Sequence, residues 1–219
     1  MTGKLGPEAL AEVLSATGAD DPAPPQEAID AAAAAIERGD LVVYPTETVY
    51  GLGADATDPA AVGRVFDLKR RSRTKPLSAG FPTVAAATRH TRPTARAERF
   101  MRAFLPGPVT VVVERGPALP DVLTAGRDRV GVRVPAHGLA LSLLAAAGRP
   151  VTATSANRSG EPSVRRVAEL DAEIRGRVAV VVDDGETPGG GSTVVDPGTG
   201  EIHREGPLGD AVRAWLRAN

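Results

Sequence analysis

The stretch Leu41 to Gly53, L-V-V-Y-P-T-E-T-V-Y-G-L-G, passes from an apolar run into a polar turn that contains glycine. Residues 41–44 suit a buried β-strand, and Pro45 ends the pairing because proline has no N–H to donate. Two threonines flank Glu47, and the glycines that follow allow a positive φ or a close approach of the backbone to a ligand. This pattern predicts a strand that ends in hydroxyls and bare amides, where functional residues are often found, although an ordinary strand and loop would have the same pattern.

Helical and strand patterns alternate along the rest of the chain, which predicts an α/β fold. Asp58-Pro59 supplies an N-cap and a first helical residue, Ser163 is expected to cap a later helix, and Gly39 and Gly148 predict helix ends. Helices are predicted at 26–38, 58–69, 84–90, 94–105, 136–147, 163–174 and 208–217. Strands are predicted at 41–44, 76–80, 109–114, 130–134, 150–154, 178–182, 192–195 and 201–204. Several strands follow one another too closely for helical crossovers, so we expect a mixed parallel and antiparallel sheet.

Length and composition exclude several classes of protein. The 219 residues allow one large domain or two small ones, and a net charge of −1 gives no field that attracts nucleic acid or membranes. Aromatic residues make up 3%, so stacking on single-stranded nucleic acid is not the main device. The absence of cysteine excludes disulfides, thiolate zinc sites and a cysteine nucleophile, and it fits a reducing cytoplasm. No apolar run approaches the roughly 20 residues that span a bilayer.

Residues 64–75 concentrate positive charge in a chain that is nearly neutral overall. Six cations stand against one acid, Asp67, and two of the three lysines of the chain lie here. The cationic residues are Arg64, Lys69, Arg70, Arg71, Arg73 and Lys75. The cluster predicts a site for phosphate or nucleic acid, and the alternative is a solvated helix end, where cations also suit the helix dipole.

Three further segments place polar groups in or after strands. Arg133 lies inside the apolar V-G-V-R-V-P strand, so it either has an anionic partner on a buried face or is an outward-facing edge residue. Residues 154–157, T-S-A-N, form either a binding loop or an ordinary polar turn. Glycines 189–191 form either an anion nest or a slack loop, and their spacing is not that of a P-loop. The three histidines are isolated, and a structural or surface role is expected for each.

Seven motifs occur in one order between residues 26 and 207: P-T-E-T-V-Y-G-L-G, K-R-R with a later K-P-L, P-G-P-V-T, V-G-V-R-V-P-A-H, T-S-A-N-R-S-G, G-S-T-V-V-D and R-E-G-P. In this the chain resembles the YrdC-type threonylcarbamoyl-AMP synthases. The resemblance implies a single-domain, YrdC-like twisted mixed sheet with surrounding helices and a concave, positively charged cavity. It implies an N-terminal extension at residues 1–25, a catalytic domain at 26–207 and a C-terminal helix at 208–219. The chain ends soon after R-E-G-P, so it is similar to the short form without an extra C-terminal domain.

Members of this family join L-threonine, bicarbonate or CO2, and ATP, and they release pyrophosphate and threonylcarbamoyl-adenylate. The resemblance therefore implies a nucleotidyltransferase with these substrates and with Mg²⁺ that enters on the triphosphate. It also implies a cytoplasmic location and a downstream transferase that modifies adenosine 37 of tRNA, and it leaves open whether tRNA contacts this chain. Carbamate and triphosphate must be held close together, so the reaction needs positioning and neutralising cations more than acid–base groups.

The resemblance also assigns roles to individual residues. Lys69 and Arg71 are the expected catalytic cations. The residues expected to bind ATP are Lys69, Arg71, Lys75, Arg129, Ser155, Asn157, Ser163 and Arg204. The residues expected to bind L-threonine are Thr48, Arg133, Ala153 and Ser192, with Arg133 on the carboxylate. No protein ligand for a metal is expected.

Three positions depart from the family pattern. Gly80 replaces a histidine that some members carry near threonine, Leu105 replaces a tryptophan, and Arg129 replaces a small hydroxyl residue near the nucleotide. These departures concern the pocket and not the reaction. A carbamoyl-transferring module of hydrogenase maturation shares the fold, but those chains are larger and carry further domains. A double-stranded RNA-binding module without catalysis would use the basic cluster, but it has no need of Arg133 or of the 154–157 loop.

Overall fold

The computed structural model describes residues 12–15 and 26–219. The expected N-terminal extension, residues 1–25, lies outside the described residues except for the strand at 12–15. The strands are β1 Glu12–Ser15, β2 Val42–Tyr44, β3 Gly51–Gly53, β4 Ser78–Gly80, β5 Thr91–Arg92, β6 Val109–Arg115, β7 Arg129–Arg133, β8 Val151–Ser155, β9 Val180–Asp183, β10 Thr193–Asp196 and β11 Glu201–Arg204. The helices are α1 Gln26–Glu37, α2 Pro59–Leu68, α3 Val84–Thr88, α4 Ala95–Phe104, α5 Asp121–Thr124, α6 Gly138–Ala147, α7 Ala172–Arg175 and α8 Gly209–Ala218.

Across the described residues, eleven strands form one mixed sheet. Their order is β1-β9-β2-β3-β8-β4-β7-β6-β10-β11, and β5 pairs with β6. β2 runs parallel to β9 and antiparallel to β3, while β7 runs parallel to β4 and antiparallel to β6. The expected α/β class and the mixed sheet are both confirmed. β1 adds a parallel strand at the edge, beside β9.

Local sequence signals set several helix ends as expected. Asp58 has an extended backbone before α2, and its carboxylate accepts a hydrogen bond from the Ala60 N–H at 2.8 Å. Pro59 is the first residue of that helix, where its missing N–H has no cost. Gly39 and Gly148 follow α1 and α6 with φ of 84° and 62°, the left-handed conformation in which glycine ends helices.

The two faces of the sheet bury different apolar side chains, because neighbouring residues of a strand point to opposite faces. Val42 and Tyr44 pack in a cluster with α1 and α6, while Val43 joins the larger core on the other face. In β9, Val180 and Val182 repeat this pattern on the side of α1 and α6. Helices and core residues therefore hold β2 from both faces, and this fixes the direction in which the chain enters the 45–50 turn.

The prediction of a helix that begins at Ser163 is wrong. Residues 163–166 are not helical, and the segment contains a short 3₁₀ turn at Val167–Glu169 followed by α7. Asp171 caps α7, because its carboxylate accepts from the backbone N–H groups of Glu173 and Ile174. The effective cap thus lies eight residues later than expected, and Ser163 is left to face the functional cavity.

The sequence patterns do not predict four short elements, which are β1, β3, β5 and α5. β3 consists of Gly51, Leu52 and Gly53, and glycine has a low preference for strands. It is a strand because β2 and β8 pair with it on either side. Such an element depends on its neighbours in space, which no local pattern contains.

The last helix, α8, is amphipathic and packs on the core. Val212 is fully buried, and the Trp215 ring meets Phe100 edge to face with the ring centroids 4.9 Å apart. Arg96 donates to the carbonyl of Leu216 at 3.1 Å, which fastens α4 to α8. Among the helices of the described residues, none combines the length and the apolar character needed to cross a membrane.

Candidate functional site

A cavity of about 600 Å³ opens on one face of the sheet. Its floor uses alternate residues of adjacent strands, because every second side chain of a strand points to the same face. In β7 these residues are Arg129, Gly131 and Arg133, and the register places Ser78 of β4 beside Gly131 and Gly80 beside Arg133. A strand rises about 3.3 Å per residue, so the Cα atoms of Arg129 and Arg133 lie about 13 Å apart, at opposite ends of the floor.

Glycine residues on the floor leave space for the cavity above it. A Cβ atom on Gly131 would lie 2.5 Å from Ser78 Oγ and 2.8 Å from Thr110 Cγ2, so a side chain there would require these two side chains on the neighbouring strands to move. A Cβ atom on Gly80 would meet its nearest atoms at 3.4 Å, which is an ordinary contact. Position 131 is therefore crowded by side chains of both neighbouring strands, whereas position 80 has room for a Cβ atom.

The structure brings together ten of the twelve residues that the resemblance assigns. Those lining the cavity are Thr48, Arg71, Lys75, Arg129, Arg133, Ala153, Ser155, Ser163, Ser192 and Arg204. Lys69 and Asn157 are outside the lining. Among the described residues, every charged side chain of the lining is a cation, and these are Arg71, Lys75, Arg127, Arg129, Arg133 and Arg204. The site therefore suits an anionic ligand.

Lys69 is 2% exposed at the end of α2. Its Nζ donates to the backbone carbonyls of Ser155 and Asn157, the second at 2.5 Å. Ser155 Oγ donates to Asn157 Oδ1, and Asn157 Nδ2 donates to the carbonyl of Glu161 at 2.7 Å. Burial and the neighbouring Arg71 lower the pKa of Lys69 to about 8. Lys69 thus holds the T-S-A-N loop from behind, and its direct contact with ATP stays a prediction.

The turn after α2 directs Arg71 into the cavity. Arg70 has a left-handed backbone with φ of 48°, which is uncommon for a residue with a side chain and ends the helix. Arg71 donates to the carbonyls of Lys75 and Pro76, both at 2.9 Å. Burial, and then the charge of Arg204, lower the pKa of Arg71. Arg71 therefore shapes the loop that carries Lys75 as well as adding its own charge to the cavity.

Arg133 is 7% exposed, so the outward-facing alternative is wrong. Nη2 donates to Glu47 Oε1 at 2.7 Å, and Nη1 donates to the carbonyls of Gly107 and Val109. Burial lowers the pKa of Arg133, and the charge of Glu47 opposes this. Nε has no acceptor among the described residues and is not enclosed, so Nε–H and the second N–H of Nη2 remain for a ligand. Two adjacent donors of this kind match a carboxylate.

Ser192 and Arg204 join the two halves of the expected site. Arg204 donates to the Ser192 carbonyl at 3.0 Å and to Ser192 Oγ at 2.9 Å, and Ser192 Oγ lies 2.8 Å from Thr110 Oγ1. Burial is the main cause of the lowered pKa values of Arg71 and Arg133, and Arg204 adds to both. Arg204 therefore lines the cavity together with the phosphate-side Arg71 and the threonine-side Arg133.

Sequence reasoning misses two charged residues of the site. Glu47 stands in the opening motif, but nothing in the sequence pairs it with Arg133. Arg127 is an exposed residue of the cavity rim, and within the described part of the chain its side chain has no protein acceptor. Arg129 by contrast donates to Asp196 and to the carbonyl of Val112 at 3.1 Å, so its charge is already balanced. The R-D-R run before β7 is the signal that could have pointed to Arg127.

The glycine-rich loop at 189–191 covers the 46–49 turn. Gly189 has φ of 92°, and its N–H donates to the carbonyl of Thr48 at 2.6 Å. Gly190 and Gly191 line the cavity. Because the Gly189 amide is used within the protein, this loop is not an anion nest of three amides, and its position as a wall of the threonine end is better defined than that of a slack loop.

The residues that the structure describes contain no group of three or more His, Cys, Asp or Glu side chains arranged to hold a metal ion. His203 lies on the cavity rim and pairs with Glu201 at 3.0 Å, and His137 pairs with Asp184 at 3.3 Å. Carboxylates are absent from the described lining of the cavity. The chemistry of the site therefore depends on cations, hydroxyls and backbone groups.

Comparison with known proteins gives a consistent result. The Sua5/YciO/YrdC family model, described as telomere recombination, matches residues 34–206. A threonylcarbamoyl-AMP synthase of Pyrococcus abyssi is 41% identical over 169 residues, which cover 75% of this chain and 49% of that protein. One of Klebsiella pneumoniae is 36% identical over 191 residues, which cover 83% of this chain and 97% of that protein. The chain thus spans about half the length of the Pyrococcus relative and nearly all of the Klebsiella one.

A solved structure extends the comparison to three dimensions. The crystal structure of P. abyssi Sua5 complexed with L-threonine matches with a TM-score of 0.83 and 35% identity, over 93% of this chain and 60% of that one. The fold expected from the resemblance is confirmed by this match. Because the family model covers most of the chain and the sequence identity extends over the same region, this chain belongs to the Sua5/YciO/YrdC family.

Proposed function

We propose that this protein is an L-threonylcarbamoyladenylate synthase, which joins L-threonine, bicarbonate and ATP and releases pyrophosphate. The observation that carries the proposal is the cavity, whose described charged lining consists of six cations with an arginine fork open at one end. Relatives named threonylcarbamoyl-AMP synthase support it. We place the reaction in the cytoplasm, because ATP and tRNA are found there, and a separate transferase would pass the threonylcarbamoyl group to adenosine 37 of tRNA.

The threonine carboxylate would bind at Arg133. Nε–H and one N–H of Nη2 are two parallel donors on a planar group, and a carboxylate accepts such a pair with both oxygens. Thr48, Ala153 and Ser192 would surround the rest of the amino acid, since they line the same cavity. In this pose the amino group, which becomes the carbamate, would face Arg204, which lines the same cavity.

The reacting atoms would meet at Arg204. A carbamate oxygen attacks the α-phosphorus, the bond between that phosphorus and the bridging oxygen of pyrophosphate breaks, and pyrophosphate leaves. Arg204 lines the same cavity as Arg71 and Arg133 and is held by Ser192, so it would balance the carbamate and the α-phosphate together. Fixed cations at the point where two anions meet lower the barrier without a general base.

The β- and γ-phosphates would lie towards Lys75 and Arg127. Both residues are exposed on the rim, and neither side chain has an acceptor within the described part of the chain. Mg²⁺ would enter as part of the ATP substrate. Since the described lining contains no carboxylate, phosphate oxygens and water would be its ligands, which suits an ion that keeps its water.

The purified protein is expected to release pyrophosphate from MgATP only when both L-threonine and bicarbonate are present. A coupled phosphate assay with pyrophosphatase measures the release, and mass spectrometry identifies the threonylcarbamoyl nucleotide. Pyrophosphate release that is unchanged without threonine would contradict the proposal. Double-stranded RNA binding without any threonine-dependent release would instead favour a binding module.

Lys75→Ala is expected to raise the KM for ATP about tenfold or more and to leave the Kd for L-threonine unchanged. The reason is the loss of one charge-assisted contact to phosphate, which is worth about 1.5–3 kcal/mol. Because Lys75 is exposed, the melting temperature should not change. Arg127→Ala should have the same effect on ATP if both side chains bind the same phosphates.

Arg73→Ala is the matched control for the Lys75 variant. Arg73 belongs to the same basic cluster, but it pairs with Asp67 at 2.8 Å and is outside the cavity lining. Its removal should leave the KM for ATP unchanged. If Arg73→Ala and Lys75→Ala raise the KM for ATP equally, the cluster acts only through its general charge, and the proposed phosphate contacts at the rim are wrong.

A further inference from the structure

Glu47 faces away from the cavity, although both of its neighbours line it. Thr46 and Thr48 belong to the lining and Glu47 does not, and the Glu47 side chain is 14% exposed. Oε1 accepts from Arg133 Nη2 at 2.7 Å. Oε2 is buried and has no hydrogen-bond donor among the described residues. Glu47 is thus a buried carboxylate with one oxygen unsatisfied, and burial of such a group costs free energy. Its presence is explained if its negative charge stabilises a buried cation.

Holding the Arg133 guanidinium in position does not require a carboxylate at residue 47. The guanidinium of Arg133 is already held by two backbone carbonyls on Nη1, those of Gly107 and Val109. A glutamine could accept the same bond on Nη2 without a buried charge. What the carboxylate adds is a negative charge, and Glu47 is the one acid that pairs with Arg133 within the described residues. A buried arginine without such a partner is strongly destabilising.

We propose that Glu47 is the resident counter-ion of Arg133, which stabilises the ligand-free protein and weakens the hold of Arg133 on the substrate carboxylate. This inference rests on the proposed function, because it takes L-threonine as the ligand. The carboxylate of threonine approaches an arginine whose charge is already balanced, and it is repelled by the Glu47 carboxylate, which accepts from Nη2 of the same guanidinium. Affinity is therefore lower than a lone buried arginine would give.

The weaker hold matters for turnover. The threonylcarbamoyl-adenylate keeps the α-carboxylate of threonine, so the product would stay bound to Arg133 as tightly as the substrate did. An interaction that is equally strong for substrate and product slows release without assisting the chemical step. A built-in counter-ion reduces this interaction while the geometry of the fork is kept.

Glu47→Gln tests the charge with little change in shape. Titration calorimetry with L-threonine is expected to give a Kd about tenfold lower than for the unchanged protein, since one like charge close to the ligand has been removed. The melting temperature of the ligand-free variant should fall, and saturating L-threonine should raise it by more than in the unchanged protein. Slower release should also lower kcat together with KM. An unchanged or higher Kd for L-threonine would overturn the inference.

Two further variants complete the test. Glu98→Gln makes the same exchange in an exposed ion pair with Arg102, and it should alter neither the Kd for L-threonine nor the melting temperature. If Glu47→Gln does not fold, Glu47→Asp moves the carboxylate back by one methylene and should tighten L-threonine binding by a smaller factor, whereas equal or weaker binding would overturn the inference. If the unchanged protein binds no L-threonine at all, the proposed function fails, and this result is distinct from binding that does not respond to Glu47.

Discussion

Arg133→Lys is expected to weaken L-threonine binding at least about 100-fold and to leave ATP binding without threonine nearly unchanged. Lysine has no planar fork, and its single ammonium cannot serve the two carbonyls, Glu47 and a substrate carboxylate together. Two charge-assisted hydrogen bonds to the substrate are lost, worth about 1.5–3 kcal/mol each. Lysine retains the positive charge beside Glu47, so the fold should survive. Calorimetric titration of each ligand measures both affinities.

Arg127→Lys is the matched control for this prediction. It makes the same exchange at an exposed cation of the cavity rim, towards the other end of β7, and it should leave L-threonine binding unchanged. Equal loss of both ligands in Arg133→Lys, together with a lower melting temperature, would mean that Arg133 supports the whole cavity. In that case the division into a threonine end and a phosphate end would be wrong.

Lys69→Met is expected to lower the free energy of unfolding by about 2–4 kcal/mol and to abolish ATP binding. The variant leaves the buried carbonyls of Ser155 and Asn157 without their donor, at a cost of about 1–3 kcal/mol each, while removal of a buried charge offsets part of this. The T-S-A-N loop then loses its support. Lys75→Met, which removes an exposed lysine, should leave the free energy of unfolding unchanged. Urea titration measures the free energy of unfolding of both variants.

The pH dependence of stability tests Lys69 further. Its pKa of about 8 in the folded protein lies below the ordinary 10.5, so the unfolded chain binds more protons between these values. The contribution of Lys69 to the free energy of unfolding therefore rises with pH from about 8 to 10.5, and the cost of burying the ammonium is fully present below pH 8. The difference between the unchanged protein and Lys69→Met should grow across this window. A constant difference would mean that Lys69 titrates normally.

Local signals predict most of the secondary structure, because they act within a few residues. Asp58 caps α2, Gly148 ends α6, and Pro45 ends the strand before the threonine turn. The error at Ser163 has the same origin, since Ser163 and Asp171 are both good caps and the sequence does not state which helix packs. β3 is missed for the opposite reason, because its pairing partners come from β2 and β8.

The sequence by itself determined the α/β class, the mixed sheet, the family and ten of the residues that line the cavity, since the order of the motifs and the strand exits carry this information. The tertiary structure decided what each charge does. Glu47 and Arg133 are 86 positions apart and form one ion pair, and Lys69 donates to the carbonyl of Ser155, which is also 86 positions away. Burial and charge compensation depend on which segments meet in space, and strand pairing brings those segments together only in the folded sheet.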